Sequence, residues 1–466
     1  MSERNYPPRR RRRRTNYRPL IFALVIVLLL VSFVAVMLHM TGSEPGDVTT
    51  EPTTQTTAPT TEPTTEPTTE PTTEPTAPPV TQVGSATVGA TGDMLMHMPC
   101  VNPVKQSDGT YDFTPYFAHF QEYVQAVDYA VANLETTLAG LENGYEYKGY
   151  PNFNCPDGIV TSLQDVGFDM LLTANNHTYD TQTAGFFRTQ QVMKEQGMDY
   201  TGTRTSEEDD NYLIKEIDGI RIGMICYTYE TNADPDKVSL NGGATFPDNV
   251  TNLINVFMKS DAASFSKSLE TDIANMRADG AEAIVLYIHW GEEYKLVQDD
   301  RQIAMAQAAC DLGVDVIVGG HPHVIQPMDL LTSTVDENHK TVVLYSTGNA
   351  LSNQRLGNIS YVKTAHTEDG IFFSFSFAKY SDGTVRLEEV ELLPLWVNLY
   401  TNTSTWKAVY DILPLDKDMP DWKTRLDLTD SSLAKAEASY DRTMAIVGEG
   451  LEKVQSYLAE LPEIAE

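Results

Sequence analysis

Residues 313–326 read GVDVIVGGHPHVIQ. Val314, Val316, Ile317 and Val318 form a short, β-branched apolar run suited to a buried strand, and the run stops at Gly319-Gly320 followed by His321 and His323. In α/β domains the carboxyl ends of strands are where loops converge on a crevice. Two imidazoles at such an end mark a candidate site, and an extended His-Pro-His segment would aim both rings to one side.

The same arrangement recurs along the chain. The apolar runs ATVGATG, YAVANLE, DMLLTA, RIGMICYTY, AIVLYIHW, VDVIVGG and TVVLYST alternate with amphipathic stretches, including 181–196 and 299–312, between about residues 85 and 395. This alternation predicts an α/β domain. Near its end two alternating strands flank Ser381-Asp382-Gly383, a hairpin signature, so an antiparallel portion closes the unit. From Asp430 onward Leu433, Tyr440, Met444, Val447, Leu451, Val454 and Leu458 recur at helical spacing. Residues 401–466 are therefore expected to be a helical extension of a domain spanning 85–400.

Six runs end in polar residues: Asp93; Asn133 and Glu135; Asn175, Asn176 and His177, with Asp180 three residues on; His289; His321 and His323; and Asn349. Singly, Asp93 reads as a helix cap, Asn176 as a turn residue and His289 as a satisfied, half-buried ring. Five of the six endings carry a carboxylate or an imidazole, although only eight histidines lie beyond position 40. Convergence on one site explains that concentration, and Asp, Glu, Asn and His are the oxygen and nitrogen ligands of zinc, manganese or iron. No phosphate-binding G-x-x-x-x-G-K-[ST] loop, H-E-x-x-H or G-x-S-x-G is present, which argues against a nucleotide-driven motor or a serine hydrolase.

The amino-terminal part is of another kind. Residues 1–19 hold eight arginines and one acid, and the uncharged apolar segment 20–40 has the length of a membrane-spanning helix. With no convincing small-residue cleavage site, it reads as an uncleaved anchor. The arginines place the amino terminus in the cytoplasm and the rest outside, as a single-pass protein of the cell membrane. Residues 41–84, with Thr-Thr-Glu-Pro five times, read as an extended, disordered stalk. Beyond position 40 there are 25 basic and 64 acidic residues, a net charge of −39, so nucleic acid is not an expected partner. Cys226 and Cys310 read as buried thiols, whereas Cys100 and Cys155 lie in loop-like sequence where an oxidising compartment would allow them to pair.

The ordered segments GATGDMLM, ANLETTL, LTANNHTYD, YIHWGEEY, VGGHPHVIQ and LYSTGNALS resemble the poly-gamma-glutamate capsule-synthesis proteins of the CapA type, a family itself similar to calcineurin-like metallophosphoesterases. The resemblance covers roughly residues 86–395. It implies a two-sheet β-sandwich flanked by helices and an anchored, outward-facing protein working with polymer synthetase or exporter subunits on an anionic envelope polymer. Carried over by motif, it implies metal ligands at Asp93, Asn176, His289, His321 and His323, and His177 facing a leaving group as general acid. Asp180, three residues after His177, is the second candidate catalytic residue. The pattern departs in two places. Leu95 stands where an Asp-x-His motif would have histidine, His97 being two residues further on, and the bridging aspartate gives way to Asn133 and Glu135, with Glu135 the candidate substitute. One divalent ion, or two held unequally, is the expected cofactor. Three functions follow: an accessory of envelope-polymer synthesis, export or attachment; a metal-dependent hydrolase, phosphoesterase or amidase-like; or a non-catalytic binding module on the same fold.

Overall fold

The computed structural model describes residues 79–231, 237–258 and 262–461. The expected tail, membrane span and most of the stalk lie outside the described residues; among those described, no helix is long and apolar enough to cross a membrane.

Two sheets face each other. The first runs β15 (Ala408–Pro414), β14 (Val385–Thr401), β13 (Asp369–Tyr380), β1 (Gln82–Leu95), β2 (Tyr129–Glu135), β3 (Met170–Leu172) and β4 (Asp199–Thr201), with β12 (Asn349–Leu351) also on β1. The second runs β10 (Ile325–Thr332), β11 (Lys340–Thr347), β9 (Val316–Gly320), β8 (Ala283–His289), β6 (Ile220–Glu230) and β5 (Leu213–Ile217), with β7 (Val256–Met258) on β6. The five long helices are α1 (Gly158–Val166), α2 (Gln182–Gln196), α3 (Ala262–Ala278), α4 (Asp300–Asp311) and α5 (Asp430–Ala459).

Why the runs are apolar throughout is visible in β8. Its side chains alternate between two cores: Ala283, Val285 and Tyr287 pack between the sheets with Val88, Val131, Met224, Val316 and Phe373, while Ile284, Leu286 and Ile288 face Phe265, Leu269 and Met276 of α3 and Met305 and Ala309 of α4. A strand buried on both faces has no polar side. Each buried Val, Ile, Leu, Met or Phe among them contributes about 1.5–3 kcal/mol by leaving water. The outer face of the first sheet packs on Ile159 and Leu163 of α1 and Val192 and Met193 of α2. The expected two-sheet, helix-flanked α/β domain is the one observed.

All seven predicted strands are present, as is the hairpin, with Gly383 at φ +91°. Helix α4 starts where its capping signal sits: the Asp299 side chain accepts from the Arg301 and Gln302 backbone N–H groups, and Gln302 returns a bond to the Asp299 N–H. Residues 401–466, expected to be helical, first supply the edge strand β15, and only then α5. That helix lies against β10 and β14 and sends Val447 and Val454 into the core between the sheets. Arg442 and Ser439 of α5 hold the buried Asp369 carboxylate at the start of β13, at 2.7 and 2.6 Å. Cys100 and Cys155 do not pair; all four cysteines are buried free thiols.

Strand β15 carries one unfavourable group. Burial pushes the Asp411 carboxyl up to about 7, one of its oxygens has no hydrogen-bond partner, and His119, itself held down by burial, stands 3.7 Å away. The folded state therefore holds this proton more tightly than the unfolded chain, so its contribution to stability falls as the pH rises from the ordinary carboxylate range through about 7. We expect Asp411→Asn to raise the melting temperature at pH 8 and to leave it nearly unchanged at pH 4; an equal shift at both would show that ionisation of Asp411 is not the cause.

Candidate metal centre

Parallel strands β1, β2 and β3 in one sheet and β6, β8 and β9 in the other end on the same side of the sandwich. At the end of β1 the register shifts between Thr91 and Asp93, re-aiming Asp93. Gly92 allows this because a Cβ there would lie 2.0 Å from the Gly348 carbonyl. Asp93 is fully buried; it accepts from Asn133 Nδ2 at 2.7 Å and from the His321 backbone N–H at 3.2 Å, and its Oδ2 lies 3.1 Å from His323 Nδ1. Burial opposes its ionisation, but the His323 hydrogen bond and the charges of His289 and His323 hold its carboxyl below the usual range.

The His-Pro-His segment is not extended. His321 has φ +95° and His323 φ +56°, left-handed values that residues with a Cβ adopt only where their surroundings fix them. The turn still delivers both rings, with centroids 6.0 Å apart. His321 Nε2 is 3.2 Å from the Tyr229 hydroxyl. His323 Nδ1 is 3.1 Å from Asn349 Oδ1, and Asn349 is held in turn by the carbonyls of His323 and Thr367. Burial works against a charge on His323, yet the Glu135 charge and the Asp93 carboxylate push it up to about 9.

Glu135 lies at the centre. It is fully buried, and neither carboxylate oxygen has a hydrogen-bond partner. His289 Nε2, His323 Nε2 and His177 Nε2 stand 3.5, 3.8 and 4.0 Å from its Oε1. Two sets of ligand atoms each fall within 4.8 Å: Glu135, His289 and His321, and Asp93, Glu135 and His323. Glu135 is common to both, as a bridging carboxylate would be. Asn176 Oδ1 lies 2.7 Å from His289 Nε2, so an amide oxygen, an imidazole nitrogen and a carboxylate oxygen converge on one small space. An unsolvated carboxylate ringed by imidazoles fits a divalent cation, which would satisfy all of these groups together.

His177 occupies the border between this centre and an open cavity of about 330 Å³ lined by Tyr150, Asn176, His177, Asp180, Asn241 and Glu293, among others. Its Nδ1 is 2.7 Å from Asp180 Oδ2, and the Phe153 backbone N–H donates to the same Asp180 oxygen at 2.6 Å. Burial alone would lower His177, but the Asp180 hydrogen bond and the Asp180 and Glu135 charges raise it.

The eight residues given metal-binding or catalytic roles from the sequence thus meet at one place. Sequence reasoning missed Tyr229, although β6 lies beside β8 with Thr228 opposite His289, which puts the next residue at the same strand end. His97 enters the wall of the site but neither ligand set: its ring packs edge-on to Phe153 at 5.2 Å, Nδ1 is 3.2 Å from the Leu95 carbonyl, and burial pushes it down to about 4.

Residues 87–354 match the model of the family described as "Bacterial capsule synthesis protein PGA_cap". The chain belongs to this capsule synthesis family. It is 28% identical over 279 residues to a capsule biosynthesis protein CapA of Bacillus anthracis, covering 58% of this chain and 60% of that one. It is 27% identical over 240 residues to a PGA biosynthesis protein CapA of Bacillus subtilis, covering 51% and 57%. The capsule-family chain therefore aligns over rather less than two thirds of these relatives. A purple acid phosphatase from yellow lupin aligns at 12% identity and TM-score 0.32 over 67% of this chain and 54% of that one, too distant a likeness to carry an argument.

A ligand that binds only the folded state stabilises it, by about 2.7 kcal/mol at a hundred times its Kd. Manganese or zinc should raise the wild-type melting temperature by several degrees, and Glu135→Gln should abolish most of that rise while remaining folded. Equal metal-induced shifts in both proteins would show that Glu135 is not a shared ligand.

Proposed function

We propose that this chain serves capsule-polymer assembly as a membrane-anchored, extracytoplasmic metal-dependent hydrolase acting on a cell-envelope component. Family membership supports the capsule role. The chemistry rests on one observation: the buried Glu135 carboxylate, without a hydrogen-bond donor, is common to two sets of imidazole and carboxylate ligands.

Asp93, Glu135, His289, His321 and His323 would hold one or two ions of the manganese, zinc or iron class, with the Asn176 amide oxygen beside His289. Bound there, such ions would polarise a phosphoryl or acyl oxygen and lower the pKa of water. The chain's own residues would do the rest. Asp180, fixed by the Phe153 N–H, binds His177 Nδ1 and so sets the ring's orientation. That leaves Nε2 to hand a proton to a leaving group lying between Glu135 and the cavity. Phe153, edge-on to the His177 ring at 4.7 Å, shields it from water on one side. Tyr229 and Asn349 hold His321 and His323 from behind.

In this reading residues 20–40 anchor the protein, residues 1–19 remain cytoplasmic, and the folded domain works outside beside the synthetase or exporter subunits. The net charge of −39 beyond position 40 disfavours broad contact with an anionic polymer except through bound cations.

Elemental analysis should find about one to two transition-metal ions per chain in the wild type and none after His321→Ala with His323→Ala. With manganese supplied, the wild type should hydrolyse an activated phosphodiester such as bis(p-nitrophenyl) phosphate, the double variant should not, and His177→Asn should keep its metal while kcat falls by about 10²–10⁴. A metal-loaded wild type that turned over neither phosphodiesters nor envelope amides would leave the non-catalytic accessory role in place of the hydrolase.

A further inference from the structure

The cavity beside His177 has a lining suited to a particular kind of molecule. Among its described lining residues there is no lysine or arginine; amide side chains of Asn152, Gln182 and Asn241 share it with the carboxylates of Asp180 and Glu293. Apart from His177 on the side of the metal centre, no cationic side chain lines the cavity among the described residues, and the Asp180 and Glu293 carboxylates would repel a phosphate or a glutamyl carboxylate placed there. Amide and carboxylate groups instead suit hydroxyl groups, which both donate and accept.

The cavity mouth adds an aromatic surface. Tyr150, which lines the cavity, is 65% exposed, and Tyr361 is 44% exposed. Their rings lie 6.2 Å apart, and Tyr361 continues at 6.2 Å to Tyr294, which stands 6.3 Å from the His323 ring. The two exposed tyrosines are neighbours and so form one aromatic surface beside the polar cavity. A row of rings leading from solvent to the metal centre offers flat apolar faces, the complement of the C–H face of a sugar ring.

We propose that this cavity and its tyrosine mouth bind a neutral glycosyl unit of the envelope component. The inference deepens the hydrolase reading and rests on it for the meaning of the site, but the binding itself requires no metal. Tyr150 and Tyr361 determine specificity here; among the described residues neither makes a hydrogen bond or ring contact to a proposed metal ligand.

The test is calorimetric titration of the purified full-length chain with chitotetraose, cellotetraose and a tetra-γ-glutamate. At least one neutral tetrasaccharide should bind, the γ-glutamyl oligomer should not, and Tyr150→Ala and Tyr361→Ala should each weaken saccharide binding by about 3- to 10-fold with melting temperature and metal content unchanged. The His321→Ala, His323→Ala protein should still bind the saccharide, which separates this inference from the hydrolase reading. Absence of binding by both saccharides, affinity unchanged in both tyrosine variants, or preferential binding of the γ-glutamyl oligomer would overturn it. Phosphodiester hydrolysis by a protein that binds no saccharide would sink the glycosyl site alone.

Discussion

The carboxylate of Glu135 is the constraint around which the site is built. Withdrawing such a group from water costs several kcal/mol unless partners restore what is lost, and here no donor reaches it. The nearest imidazole nitrogens, at 3.5–4.0 Å, lie beyond hydrogen-bonding distance. Several of the surrounding side chains are tied from behind: His177 to Asp180, His321 to Tyr229, Asp93 to Asn133, and His323 to Asn349. Such supporting contacts orient ligand groups in metal sites, and here they keep the rings from collapsing onto the carboxylate.

The same constraint accounts for the strained backbone at the end of β9. The left-handed conformations of His321 and His323 are paid for by bonds that fix the turn: Asp93 accepts from the His321 N–H, the Trp290 N–H donates to the Gly320 carbonyl at 3.1 Å, and the Tyr294 N–H donates to the Pro322 carbonyl at 2.8 Å. Sequence alone suggested an extended segment because histidine and proline both favour negative φ. The turn depends on partners from β1 and from the loop after β8, distant in the chain and invisible to local pattern.

Other features divide along the same line. The long buried strands were legible because apolar runs of five to seven residues have few alternative uses, and the hairpin after β13 because its turn is local chemistry. Strands β4, β7 and β12 have three residues apiece and no usable period, while β10 contains Pro327 and Asp329, which argue against a central strand. The polar strand endings identified which residues meet. Which of them share a partner, with Glu135 joining His321 to one set and His323 to the other, depends on sheet twist and on the turn at Pro322.

Strand β1, which carries Asp93, takes its antiparallel neighbour from β13, with Ala90 opposite Phe373. Strand β13 is itself pinned at Asp369 by Ser439 and Arg442 of the last helix. During synthesis the first strand of the domain must wait for nearly the whole polypeptide before its sheet can close, a slow, long-range pairing. A chain ending before β13 would leave one edge of β1 unpaired along Gln82–Thr91, so the strand that carries Asp93 gains its second full neighbour only from the last third of the sequence.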